Sequence, residues 1–104
     1  FRIKAMAHIT GGGLPGNLPR VLPKGLGAVI ERGKLPKLPV FELIEKEGKV
    51  PRSEMDRTFN CGVGYTIVVP ARQAADLCTF MRRRRFPASV VGRIVAGSRR
   101  VRYT

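Results

Sequence analysis

Tryptophan is absent from this chain, histidine occurs once, as His8, and cysteine twice, as Cys61 and Cys78. A lone histidine and two cysteines without ligand spacing argue against a zinc centre. A disulfide between them stays open. Both lie in apolar settings, however, where a reduced, buried thiol is the commoner state, and that points to an intracellular setting. Long apolar runs are also missing. None reaches the roughly 18 residues of a membrane-spanning helix. Acids are scarce, with 7 Asp+Glu against 20 Lys+Arg, so the chain carries a formal charge of +13. Such an excess favours polyanion partners, nucleic acid or a phosphorylated ligand, and says nothing about fold. Aromatics make up only 7% of the residues, so no base-stacking surface accompanies the charge. The chain opens Phe1-Arg2-Ile3-Lys4 without a starting Met or a signal-peptide pattern, which predicts a piece of a longer chain or a processed one.

What is present is enough for one domain with a modest core: 104 residues, 43% of them apolar. The centre of interest is Ala7 to Pro23. The apolar stretch Ile3 to Ile9 predicts a strand, and Gly11, Gly12 and Gly13 follow it. Asn17 is placed to cap a helical turn starting at Leu18, with Pro19 inside the first turn, where its missing N–H costs nothing. Bare N–H groups converging between a strand and a helix start form a nest for phosphate or another anion. Arg20, one turn on, can add a bidentate contact. The competing reading is a tight turn that needs left-handed backbone angles. The loop is neither a Walker loop nor a G-x-G-x-x-G dinucleotide loop.

Further along, Leu26 to Ile30 predicts a strand and Arg32 to Leu38 a linker. Pro39 opens a helix with Val40, Leu43 and Ile44 on one face and Gly48 ending it. A second helix starts at Ser53, with Ser53 and Asp56 as a weak capping box, and runs out near Asn60. Met55 and Phe59 share a face of it. Tyr65 to Val69 is the clearest strand, stopped by Pro70. Gln73 to Arg83 is a helix with Ala74, Leu77, Cys78 and Met81 at helical spacing, and Arg82 to Arg85 at its C-terminal end, where cations suit the dipole. Ala88 to Val95 is a strand, Gly97-Ser98 turns, and Arg99 to Tyr103 pairs back as an edge strand with alternating arginines. No internal repeat is present, and no regular βαβ period. The expected class is α+β: a mixed or antiparallel sheet with helices packed on it.

Three segments carry a resemblance: Ala7 to Leu14 with Asn17 to Pro23; Glu54-Met55 with Arg57 to Gly64; and Val90-Val91-Gly92 with Val95. In this order they resemble the C-terminal domain of the phosphoribosylformylglycinamidine cyclo-ligase (AIR synthetase) family, over essentially the whole chain. The resemblance implies an ATP- and Mg²⁺-dependent enzyme of cytosolic purine biosynthesis. It closes the imidazole ring of formylglycinamidine ribonucleotide, giving aminoimidazole ribonucleotide, ADP and phosphate. It also implies a homodimer and an N-terminal domain supplying much of the nucleotide site.

That N-terminal domain and the first half of the C-terminal one have no counterpart in residues 1–104. The whole stretch therefore reads as a single partial domain, unable to turn over or to bind ATP and Mg²⁺ alone. Gly16 stands where many relatives carry an acidic residue, and Arg82 to Arg85 with Arg99, Arg100 and Arg102 make this copy unusually basic. Under the resemblance His8, Thr10, Gly11, Gly12, Gly13, Asn17, Arg20 and Asn60 become candidate substrate-binding residues, with His8 the one candidate for proton transfer. Thr58 and Asn60 are read as a helix end turning into a strand or as a second wall of the same cleft. The alternatives are a non-catalytic, basic RNA- or ribosome-binding module derived from this domain, and another member of the same ATP-binding superfamily.

Overall fold

The computed structural model describes all residues, 1–104. Its elements follow the expected order. Strand β1 (Ala5–His8) runs into the short helix α1 (Gly13–Asn17) and a 3-10 turn at Leu18–Val21. Strand β2 (Leu26–Ile30) follows, then a 3-10 turn at Arg32–Lys34. Helices α2 (Pro39–Glu47) and α3 (Arg52–Thr58), strand β3 (Tyr65–Val68) and helix α4 (Ala71–Arg83) come next. Strands β4 (Gly92–Ala96) and β5 (Val101–Tyr103) close the chain.

The class is α+β, with the strands divided between two sheets. β1 and β3 form an antiparallel ribbon with His8 opposite Tyr65. β2 is the centre of a mixed sheet ordered β4-β2-β5, antiparallel to β4 and parallel to β5. The last strand is thus an edge strand, as expected, but it does not pair back on β4. β2 is inserted between the two arms, and Ala28 N–H donates to Arg100 O at 2.9 Å. Two glycines admit it: a Cβ on Gly27 would strike the carbonyls of Ser98 and Arg100, and one on Gly92 would strike Val29 O. Pairing therefore starts at Gly92, four residues later than the apolar run from Ala88 implies.

The packed centre is Ala7, Ile9, Leu14, Leu18, Leu22, Ala28 and Ile30, all from the stretch that runs from β1 through β2. The apolar face expected on α2 exists but stays largely open, with Phe41 and Ile44 only half-buried. The helix buries no residue, with Val40 52% and Leu43 58% exposed.

Candidate functional site

Two of the three motif segments meet. A depression of about 270 Å³ is lined by Ile9, Thr10 and Gly11 on one side and by Thr58, Phe59 and Asn60 on the other, with Phe41 of α2 at its edge. Phe41 stands 5.9 Å from Phe59, ring centre to ring centre.

The glycine loop divides by role. Gly13 is buried at a φ of +63°, and its N–H donates to Thr10 O at 3.0 Å. A Cβ there would strike Asp56 O and come within 2.6 Å of Phe59 O. Gly13 is thus where α1 closes on the end of α3, and its N–H is not free for a ligand. Gly12 takes a φ of +100°. Gly11 has nothing within 4 Å of an added Cβ. The backbone N–H groups of Thr10, Gly11 and Gly12 have no acceptor within the chain.

Asn17 does not cap a helix. It is the last residue of α1, it is 5% exposed, and no side-chain cap bond forms. Its Nδ2 reaches back to Gly13 O (2.8 Å), Thr10 O (3.2 Å) and Gly11 O (3.3 Å), and Thr10 Oγ1 donates to its Oδ1 at 3.3 Å. One buried carboxamide gathers the carbonyls of Thr10, Gly11 and Gly13 inward, which leaves the N–H groups of Thr10, Gly11 and Gly12 without a partner in the chain. The helix accordingly starts at Gly13, earlier than the capping reading places it.

The opposite wall is held by an ion pair that local patterning does not reveal. Asp56 is not half of a capping box, since α3 has no side-chain cap. Its buried carboxylate accepts from Arg32 Nη2 at 2.6 Å and Nη1 at 3.2 Å. The same guanidinium lies 4.1 Å from the centre of the Tyr103 ring. The hydrogen bond to Asp56 raises the Arg32 pKa above its usual range, and burial drives the Tyr103 phenol far above 10. Burial, and then the Asp56 charge, pushes the Cys61 thiol up as well. Cys78 is buried and Cys61 partly so; both are free. Asn60 Oδ1 accepts from Gly62 N–H at 2.8 Å, so its Nδ2 keeps free donors beside the depression.

Thr10, Gly11 and Asn60 therefore converge, and Thr58 joins them. His8, Gly12, Gly13, Asn17 and Arg20 do not line the depression. His8 stacks on Tyr65 at 6.2 Å on the open face of the ribbon. Arg20 is exposed and unpaired. Sequence reasoning missed Phe41, Arg32 and Tyr103. For Phe41 a weak signal existed, its position next to the apolar face of α2.

No group of three or more His, Cys, Asp or Glu is placed to hold a metal. Four of the seven acids are already engaged: Glu31 with Lys34, Glu45 with Arg52, Glu54 with Arg57 and Asp56 with Arg32. These residues do not fit a Mg²⁺–ATP centre.

The structure is a two-sheet α+β unit in which a glycine loop faces the exit of α3 across an open depression. The AIR synthase related protein, C-terminal domain model matches residues 1–104, and the chain belongs to that family. It is 50% identical over 95 residues to a phosphoribosylformylglycinamidine cyclo-ligase of Anaeromyxobacter dehalogenans, covering 91% of this chain and 28% of that protein. The enzyme of the same name from Nitrosococcus oceani is 46% identical over 95 residues, covering 91% and 26%. That of Geobacillus thermodenitrificans is 43% identical over 98 residues, covering 94% and 28%. The chain thus spans just over a quarter of the length of these curated relatives.

Proposed function

We propose that this chain is part of an ATP-dependent cyclo-ligase of purine biosynthesis and contributes one wall of its ribonucleotide site. The work is cytoplasmic, and the assembled enzyme is a homodimer. The observation that carries the proposal is the meeting of Thr10-Gly11 with Thr58 to Asn60 around one depression. In it, the N–H groups of Thr10 and Gly11 and the Asn60 amide donate to an anionic group such as the substrate phosphate. Preorganised backbone donors of this kind bind charge without rearranging. The chain's part is to bind and orient. Activation by ATP and Mg²⁺ belongs to an N-terminal domain of the type the resemblance implies. By itself the chain does not turn over.

A chimaera tests this. The last quarter of the Anaeromyxobacter enzyme is replaced by this chain and ring closure is measured. The chimaera should be active, and Gly11→Leu should raise KM about tenfold or more while leaving the melting curve unchanged, because nothing occupies the space its side chain enters. An active chimaera with an unchanged KM removes the glycine wall. A folded but inactive one removes the enzymatic reading.

A further inference from the structure

The charge of the chain is unevenly spread. Residues 77–104 hold eight arginines and no acid. At the end of α4 two of the four are occupied: Arg82 Nε donates to Ala88 O at 3.0 Å, and Arg84 donates to Phe80 O at 3.1 Å while lying over the Phe80 ring. Those side chains finish the helix. The other group lies on the mixed sheet. Val29 of β2 is opposite Arg93 on β4 and opposite Arg102 on β5, so the three share one row and one face. Val29 is 1% exposed, while both arginines are exposed. They are two strand spacings apart, roughly 10 Å. Arg100, two residues before Arg102, falls on the same side, and Arg99 and Lys24 flank the turn beside it. None of these six positions has a side-chain partner beyond Val29's own packing; the one acid near the row is Glu31, and it is taken by Lys34 at 2.7 Å. The opposite face, with Ala28, Ile30, Ile94 and Val101, turns to the core.

We infer that this outer sheet face, centred on Arg93, Arg100 and Arg102, is a docking surface for the phosphodiester backbone of nucleic acid. Guanidinium groups favour phosphate through paired N–H donors. The face carries no aromatic side chain, so it grips the backbone without reading bases. None of these residues lines the depression, and the inference stands or falls independently of the enzymatic reading.

The test is fluorescence anisotropy of a labelled single-stranded RNA, and of a duplex DNA, against the purified chain between 50 and 200 mM salt, all as approximate settings. Three or four neutralised phosphates give a slope of log affinity on log salt of about −2 to −3 for a single strand. Arg93→Gln with Arg102→Gln should lower the slope by about 1 to 2 and weaken binding about tenfold or more. Arg83→Gln with Arg85→Gln removes the same charge from the helix end and should change binding far less. Arg93→Lys with Arg102→Lys keeps the charge and should keep most of the binding, whether or not the glutamine pair folds well. Equal losses from the two glutamine pairs, binding to heparin but to neither nucleic acid, or no binding at the lowest salt would each overturn the inference.

Discussion

Two regions of this molecule are written with similar amphipathic patterning and packed to different degrees. In the first, from the end of β1 to β2, the apolar centre is closed, with Ile9 2%, Leu14 4% and Ile30 3% exposed. In the second, α2 and the β1–β3 ribbon keep an apolar face open: Val40, Leu43, Met6 and Tyr65 are each more than half exposed. The radius of gyration, 13.9 Å, accordingly exceeds the about 13 Å of a compact chain of this length. Periodicity tells which face of an element seeks burial. It does not tell whether a partner is present to bury it, and a two-stranded ribbon is marginal without one. The open faces are consistent with a chain that spans just over a quarter of its relatives' length, whose remaining polypeptide would supply the cover.

The sharpest way to break the comparison is inside the packed region. Gly13→Ala adds a methyl at a positive φ and drives it into the carbonyls of Asp56 and Phe59. We expect a loss of more than about 3 kcal/mol, enough to abolish a cooperative melt in so small a domain. Gly11→Ala, two residues away and unobstructed, should stay within about 0.5 kcal/mol in the same urea titration. Similar outcomes for the two would mean that the loop does not lie against α3.

Asp56→Ala comes next. It strands the Arg32 guanidinium, whose side chain is 34% exposed, so the usual cost of breaking a buried pair is reduced to about 1–3 kcal/mol. The loss should persist at high salt, which separates it from removal of the exposed Arg57–Glu54 pair. Asn17→Ala should cost about 1–2 kcal/mol and speed amide exchange at Gly13, whose N–H is the hydrogen-bonded one of the glycine loop, because the carbonyls of Thr10, Gly11 and Gly13 lose a shared donor. Were Asn17 only a helix cap, the change in exchange would sit at residues 18–21 instead.

The element order was legible because apolar spacing and Gly/Pro punctuation are local. What was not legible depends on distance or on one side chain having two uses. Asn17 has the chemistry of a cap and of an interior clamp, and only the fold chooses between them. Arg32 and Asp56 are 24 residues apart, so neither announces the other. The edge role of residues 101–103 was readable, but its parallel partner was not, since a short turn after β4 favours a hairpin and the glycines that admit β2 act only once the strands are side by side. The meeting of the glycine loop with Asn60 became an expectation through family resemblance, not through spacing.

A smaller effect follows from Tyr103. Burial raises its pKa above 10 in the folded state, so the native protein holds the phenolic proton more tightly than the unfolded chain does. The contribution is complete below pH 10 and is lost as pH rises from there through the folded-state value. Stability should therefore decline above about pH 10, and Tyr103→Phe should flatten that decline. Ultraviolet titration of the phenol should show delayed ionisation; an ordinary titration curve for Tyr103 would place it in solvent.

The smallest expected effect tests the open region. Leu43→Asp on α2 puts a charge where the structure has solvent, so stability should change by no more than about 0.5 kcal/mol. In the packed region the equivalent change, Leu18→Asp, buries a carboxylate without a partner and should prevent folding. If Leu43→Asp also cost several kcal/mol in dilute solution, α2 would have to be covered within the chain itself. In the chimaera with the Anaeromyxobacter enzyme the same substitution should become costly, because there the rest of the polypeptide is available to close over the helix. A contrast between the two backgrounds would locate the cover outside residues 1–104; equal tolerance in both would leave α2 a solvent-facing helix in the assembled enzyme as well.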